Sequence, residues 1–355
     1  MTKTPTPPAR RILVVGDVMI DIVARLAGPV AQGSDTRAAI SQAQGGSGAN
    51  AAAWLAYFGA EVTLAARVAA VDLAAQAAAL RACGVTPALA ADAVRPTGRL
   101  IALVGADGER SFLTDRGANL NLCPADLPLS LLDGIGHLHI SGYAFFAEPP
   151  RGAARALLAE AMARAIPVSV DASSTSFLHA AGPQNFLSWT RGTQACFANE
   201  EEALALSAGD ARFGTLSAQY PTLVVKRGAA GAQVFTADGA PPYSRAAPGV
   251  TAVDSTGAGD AFLGAWLAAL LAGANAEVCL QAAVDAGAQA VQLIGGRPPP
   301  ARCGRFYGDY AYGNARLIAL HLWLEAFTCV YWDCDYGPSA RRLPPPHRHH
   351  RPRLG

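Results

Sequence analysis

Short unbroken apolar runs alternate along this chain with longer stretches whose apolar residues recur at helical spacing. The first run, Ile12-Leu13-Val14-Val15, ends at Gly16, and further segments that read as strands, with polar or charged residues among the apolar ones, occupy residues 62–68, 137–141, 167–171, 195–198 and 222–228. A run that is apolar at every position is the form of a strand buried on both faces of a parallel sheet, and ligands collect at the carboxyl ends of such strands. Between the runs, residues 49–58, 73–83, 152–165 and 275–293 read as helices, the second stopped by Gly84, and others open at Asn199 and at Asp260. Strands alternating with helices in this way predict an α/β fold, a doubly wound and mostly parallel sheet with helices on both faces. Two segments depart from that rhythm. Residues 22–44 alternate loosely and are polar, while 97–105 and 109–114 read as a hairpin joined by Ala106-Asp107-Gly108, whose Asp-Gly pair suits a tight turn.

With 355 residues, 51% of them hydrophobic and 15% charged, the chain has ample apolar surface for a large core, in one big domain or two ordinary ones. A formal net charge of +1 sets up no field that would gather nucleic acid or an anionic membrane, so the expected partner is a small molecule reached through a local site. Only Lys3 and Lys226 among the 28 basic residues are lysines, which reads as a compositional bias. The seven cysteines include no Cys-x-x-Cys pair and no cationic-plus-apolar leader opens the sequence, so reduced thiols in a cytoplasm are expected. The longest uncharged apolar run, residues 261–274, falls short of the roughly 20 residues a membrane-spanning helix needs.

Candidate chemistry concentrates at the ends of the apolar runs. In Asp254-Ser255-Thr256-Gly257-Ala258-Gly259-Asp260, small residues and glycines open an uncharged helix, so its first N–H groups are bare and positively polarised, with one carboxylate placed among them. Phosphoryl transfer asks for that pairing, donors for the charge on the transferring group and a carboxylate to orient and deprotonate the attacking hydroxyl. A Gly-rich turn that serves only close packing fits the same residues. Asp17 and Asp21 follow the first strand, where a carboxylate can accept protons from sugar hydroxyls, or cap a turn. Gly45-Gly46-Ser47-Gly48 lets the backbone approach a ligand before a helix. Asn199 and Glu202 share one turn of a starting helix, a spacing that suits the waters of a phosphate-bound magnesium ion and equally an N-cap. His137 and His139 lie on one face of a strand, but no third ligand lies near enough in sequence to read them as a metal site.

The glycine-rich stretch 254–260 resembles the C-terminal signature of the ribokinase-like (phosphofructokinase-B type) carbohydrate kinases, and Gly45-Gly46-Ser47-Gly48-Ala49-Asn50 resembles their N-terminal signature. The two lie in the right order about 200 residues apart, and the resemblance runs over about residues 11–300. It implies a small β-sheet lid, from about 17–44 and 97–119, lying over a sugar. It implies Asp260 as the base, with the N–H groups of Gly257, Ala258 and Gly259 as the anion hole. Asp21, Gly45, Gly46, Ser47, Asn50 and Asn119 would meet the sugar, although a cap or packing role fits Asn50 as well. Asn199, Lys226, Gly228 and Gly231 would meet the nucleotide, with Arg227 a second candidate cation. Asn199 and Glu202 would organise Mg²⁺, and Asp171 ends its strand near that region. Asp254, with carbonyls of residues 291–297, marks where relatives hold a monovalent cation such as K⁺. The implied cofactors are ATP and Mg²⁺, the implied partner is a sugar, and the implied assembly is a homodimer through the lid. Gly117-Ala118-Asn119 resembles the ribokinase branch and favours a pentose or nucleoside-like acceptor.

Two departures from the pattern matter. Where the family has a Gly-Asp-Asp-like turn this chain has Ala69-Ala70-Val71-Asp72, which loosens substrate positioning and keeps open a nucleoside kinase or a non-catalytic binding relative. From residue 303 to 355 the chain reads as a poorly ordered extension outside the kinase domain of 11–302, because 9 of 26 aromatic residues fall after residue 300 beside a Pro-, Arg- and His-rich ending, as in an out-of-frame terminus. The rhythm alone also permits a nucleotide-dependent dehydrogenase, and the first strand speaks against it, since Gly16 is followed by Asp17-Val18-Met19 rather than by a Gly-x-Gly-x-x-Gly turn.

Overall fold

Ile12 and Val14 belong to one hydrophobic core and Leu13 and Val15 to another, so a single strand feeds two layers. The computed structural model describes residues 11–105, 110–238, 240 and 242–299. Its first half contains β1 (Arg11–Val15), β2 (Met19–Leu26), β3 (Ala38–Gly45), α1 (Ser47–Tyr57), β4 (Glu61–Ala69), α2 (Leu73–Ala82), β5 (Thr86–Asp92), β6 (Gly98–Val104) and β7 (Arg110–Asp115). The second half begins with β8 (His137–Ile140), α3 (Pro150–Ala163), β9 (Val168–Asp171), α4 (Thr175–Ala181), α5 (Pro183–Trp189), β10 (Ala195–Asn199), α6 (Glu200–Leu206) and α7 (Gly214–Gln219). It ends with β11 (Thr222–Lys226), β12 (Ala232–Thr236), β13 (Tyr243–Arg245), α8 (Ala258–Leu271) and α9 (Ala276–Ala290). The turn 106–108 of the expected hairpin and the expected extension 303–355 lie outside the described residues.

The large sheet has nine strands in the order β13-β12-β11-β10-β9-β8-β1-β4-β5. It is parallel except at the β12 and β13 edge. From β1 the chain builds outward through β4 and β5, then returns to β8 on the other side of β1 and continues through β9 to β11. The order therefore reverses between β1 and β8, and a crevice opens beyond the carboxyl ends of strands at such a switch point. Helices α3 to α7 cover one face through Leu157, Leu178, Phe186, Leu206 and Leu216. Helices α1, α2, α8 and α9 cover the other through Leu55, Leu80, Trp266 and Leu280. The doubly wound architecture read from the sequence is the architecture found.

The second sheet is the lid, with strand order β3-β2-β6-β7. Its register places Asp21, Ala43 and Leu100 on one face and Ile22, Ile101 and Leu113 on the other. Ala69-Ala70-Val71-Asp72 forms a short 3₁₀ turn that is fastened to the lid. Thr97 donates its hydroxyl to Asp72 at 2.6 Å and accepts the Ala69 N–H at 3.1 Å, so both ends of the turn are pinned to Thr97.

Trp54 closes the layer beneath the glycine-rich helix. Small residues Ala261, Ala265, Ala286 and Ala290 let α8 and α9 pack against it, and its indole Nε1 donates to the carbonyl of Gly296 at 3.0 Å. Trp54→Ala is therefore expected to cost about 3–5 kcal/mol from the cavity and the orphaned carbonyl, measured by urea unfolding. A loss below about 1 kcal/mol would show that this packing is not what ties α1 to the 295–296 turn.

Candidate active site

Asp260 lies in the first turn of α8, whose N-cap, Gly257, has φ +75°. That left-handed backbone favours glycine, and a Cβ there would also stand 2.4 Å from the carbonyl oxygen of Gly296, so the turn is closed to other residues for two reasons. The preceding loop is tied down by Asp254, which accepts the N–H groups of Thr256 at 2.8 Å and Gly295 at 3.1 Å. Asp254 thus joins the two segments to which the resemblance assigns a monovalent cation.

The Asp260 carboxylate accepts the hydroxyl of Ser47 at 2.9 Å. Burial pushes its pKa up to about 7, aided by the charge of Asp171 and opposed by the Ser47 bond, Lys226 and Asn50. A carboxylate poised there is an effective proton acceptor near neutral pH, and its ionised fraction grows as pH rises through 7.

An open cleft of about 270 Å³ has Asp260, Ser47, Asp171, Asn199, Glu202 and Lys226 among its walls, together with Gly257 and Gly259. Lys226 comes from the end of β11 and approaches Gly259, where an added Cβ would stand 3.2 Å from its Nζ. Arg227 instead pairs with Glu200 at 3.2 Å on the exposed side. Of the two candidate cations, the one facing the cleft is Lys226. Gly228 and Gly231 shape the turn after β11, from Gly228 to Ala230, and neither is among the residues lining the cleft.

Asn199 and Glu202 cap α6 reciprocally, each side chain accepting the other's backbone N–H at 2.8 Å. Burial raises the Glu202 pKa and the charge of Lys226 opposes it. The cap and the cleft use the same pair of residues. Their oxygen donors, with Asp171 close by, fit a hard divalent cation held partly by phosphates and water. Among the described residues no group of three His, Cys, Asp or Glu side chains converges as a closed metal cage.

The opposite end of the site is built from the 45–48 glycine turn that carries Ser47. Gly45 packs on Asp21, and a Cβ there would lie 2.2 Å from the carboxyl group, so only glycine leaves that carboxylate in place. Oδ1 of Asp21 is buried and has no hydrogen-bond partner among the described residues. Burial raises the Asp21 pKa to about 6, with Asp17 adding to the rise and Arg297 opposing it. Arg297 donates to Asn50 Oδ1 at 3.2 Å and to the Gly45 carbonyl at 3.3 Å. Asp17 accepts the Gly48 N–H at 3.0 Å and pairs with Arg116 at 3.2 Å, and Arg116 lies 4.2 Å over the ring of Tyr143.

Asn119 is engaged by backbone. Its amide accepts from Val18 N–H at 3.1 Å and donates to the carbonyls of Val18 and Arg116 at 3.0 Å, holding the first lid strand to the body. Arg297 and Arg116, and Tyr143 and Ser173, which also line the cleft, had no site role in the sequence reading. A charged residue at a strand end or closing turn was the available signal for the two arginines, and none marked Tyr143 or Ser173.

The profile of the pfkB family carbohydrate kinases matches residues 9–302. The chain belongs to this family. The kinase is 28% identical over 296 residues to an ATP-dependent ribose-1-phosphate kinase of Halopiger xanaduensis, covering 82% of this chain and 95% of that protein. An adenosine kinase from Sinorhizobium meliloti shares the structure at 25% identity and a TM-score of 0.71, over 81% of this chain and 95% of that one. A ribokinase of Arabidopsis thaliana, solved with ribose and ATP, has the same fold at 24% identity and a TM-score of 0.65, over 81% and 94%. This chain is accordingly an ATP-dependent carbohydrate kinase, from a family whose members use ATP with Mg²⁺. Among the described residues no helix is long and apolar enough to cross a membrane.

Proposed function

We propose that the kinase transfers the γ-phosphoryl group of ATP to a primary hydroxyl of a pentose or pentose-containing acceptor, with Asp260 as the general base. One observation carries this reading. The segment 45–50 touches both ends of the site, for Gly45 packs on Asp21 while Ser47 donates to Asp260. An acceptor held by Asp21 and the 45–50 turn therefore has a rigid path to the base, and holding reactants in register is where most of the rate advantage of such a transfer arises.

In this reading the ionised Asp260 takes the hydroxyl proton as the oxygen attacks. The N–H groups of Gly257, Ala258 and Gly259, with Lys226, meet the charge on the transferring group. Asn199 and Glu202 would hold magnesium through its waters, and the ion would neutralise phosphate charge when bound. Asn119 acts through the lid strand that it holds. The pentose preference is supported by the Gly117-Ala118-Asn119 likeness to ribokinases and by the names of two of the relatives, a ribose-1-phosphate kinase and an adenosine kinase. The reading places the enzyme with the cytoplasmic ATP pool and treats residues 11–302 as the kinase domain, with 303–355 as an extension. It also assigns the outer lid face, where Ile40 and Leu113 are 70% and 57% exposed, to a second copy of the chain. Sedimentation of the full chain checks that assignment.

The functional test is acceptor-dependent ADP release across pentoses, hexoses, keto-deoxy acids, nucleosides and ribose 1-phosphate. Turnover with one pentose or riboside at least tenfold above the hexoses is expected. Binding of ATP without ADP release from any acceptor would instead favour a sugar- or nucleotide-binding relative.

A further inference from the structure

A line of buried polar side chains runs under the cleft and ends on one of its walls. His137 and His139 of β8 and Ser169 and Asp171 of β9 are buried, and they point away from the core that holds Leu138, Ile140, Val168 and Val170. His139 Nε2 lies 3.2 Å from Asp171 Oδ2, His139 Nδ1 lies 3.0 Å from Ser169 Oγ, and His137 Nε2 lies 2.8 Å from the same hydroxyl.

These contacts admit one assignment of protons for neutral rings. A carboxylate only accepts, so His139 carries its proton on Nε2 and donates it to Asp171. Its bare Nδ1 then accepts from Ser169, whose hydroxyl, with its proton spent, accepts from Nε2–H of His137. Burial pushes the His137 pKa down to about 3, which keeps that ring neutral. Every donor in the line points toward Asp171, so the dipoles add in the direction that favours a negative charge there. On its other oxygen Asp171 accepts the hydroxyl of Ser173. Ser173 has φ +65°, a strained backbone for a side chain that is not glycine, and its Oγ also accepts the Tyr143 N–H at 3.0 Å.

We propose that His139 is a positioning residue of this kinase: the line His137, Ser169, His139 fixes the Asp171 carboxylate, ionised and in one orientation, in the cleft wall that also carries Lys226 and Asp260. The relation to Asp260 follows from charge. A fixed anion beside the base strengthens its hold on a proton, and it neutralises Lys226 until phosphate arrives. A neutral or swivelled Asp171 would remove both effects without touching the acceptor site. The inference rests on the reading of this cleft as the place of phosphoryl transfer.

The experiment compares His139→Leu, His139→Gln and Ser169→Ala with wild type by steady-state kinetics and melting temperature. Gln places an amide N–H where Nε2–H stood, whereas Leu leaves Asp171 without that donor. His139→Leu is expected to lower kcat about tenfold with the acceptor KM within about twofold, and His139→Gln is expected to stay within about threefold of wild type. Equal losses in both variants, or a kcat for His139→Leu within threefold of wild type, would overturn the proposal. Should His139→Leu fail to fold, Ser169→Ala decides: a kcat at least threefold lower at a melting temperature above the assay supports the role, and a wild-type kcat overturns it. A readout independent of turnover is the ¹⁵N spectrum of the histidine side chains. The Nε2–H form of His139, with a proton resonance that moves in Asp171→Asn, is expected, and the Nδ1–H form would contradict the line of donors. A wild-type chain that releases no ADP but shows the Nε2–H form would refute the functional reading and leave the positioning intact.

Discussion

Asp260→Asn is expected to lower kcat by on the order of 10²–10⁴ while the affinity for ATP stays within a few-fold, because the amide keeps the shape of the carboxylate and removes its proton acceptance. The cleft wall survives the change. Ser47 still has an oxygen to donate to, and the glycine turn at 257 is held by Gly296 and Asp254 rather than by Asp260. Stability gives a control with a definite sign. The folded Asp260 keeps its proton up to about pH 7, whereas the unfolded chain releases it near 3.8, so its contribution to stability is present at low pH and is lost as pH rises between those values. Asp260→Asn carries no such loss, so at pH 8 it is expected to melt at or above the wild-type temperature. A variant that is both inactive and markedly less stable at pH 8 would mean that the carboxylate is structural. Turnover within threefold of wild type would refute the base assignment.

The second large effect is expected at Asp21. Its Oδ1 has no hydrogen-bond partner among the described residues, and the glycine at 45 leaves the carboxylate in place. A hydroxyl donating to that oxygen would form a charge-assisted bond worth roughly 1.5–3 kcal/mol, which is roughly 10- to 150-fold in an equilibrium constant. Asp21→Ala should therefore raise the acceptor KM by that factor and leave the ATP KM within about twofold. A rise in the ATP KM with the acceptor KM unchanged would put the acceptor on the wrong side of the glycine turn.

The elements that the sequence made legible are those whose cause is local. Ile12 to Val15 is apolar at every position because β1 is covered by both helix layers, and Gly257 marks a helix opening that residues of ordinary φ cannot make. The lid was legible from the loosely alternating, polar character of 22–44, where β3 is exposed at its first six positions, and from the Asp-Gly pair of the 97–114 hairpin. Strand β5 was missed because Thr-Pro-Ala-Leu-Ala-Ala-Asp has no β-branched run, and Pro87 is tolerated there because the strand lies at the edge of the sheet. Strands β12 and β13 reverse direction where the rhythm of strand and helix gives no warning. The short α4, α5 and α7 are too brief to show a period.

Within the site, Asp260 and the Asn199 and Glu202 pair could be placed because each sits inside a short motif. The contacts of Ser47 with Asp260, Arg297 with Asn50 and His139 with Asp171 span 213, 247 and 32 residues, and they exist only through the pairing of strands and the packing of α1 against α8. Asn119 shows the reverse case. Its motif was legible, but the amide it contributes is taken up by the backbone of the first lid strand.

The central claim is that Asp260, raised by burial, deprotonates the acceptor hydroxyl. The measurement that tests it most directly is kcat/KM for the acceptor from pH 5 to 9, in wild type and in Asp260→Asn. Wild type is expected to rise with pH along an acid limb of apparent pKa near 7, steepening below about 6 as Asp21 also takes a proton, and to level off above 8. The limb near 7 is expected to be absent from the residual activity of Asp260→Asn. A wild-type profile that stays flat down to pH 5, or a limb near 7 that persists in Asp260→Asn, would contradict the account.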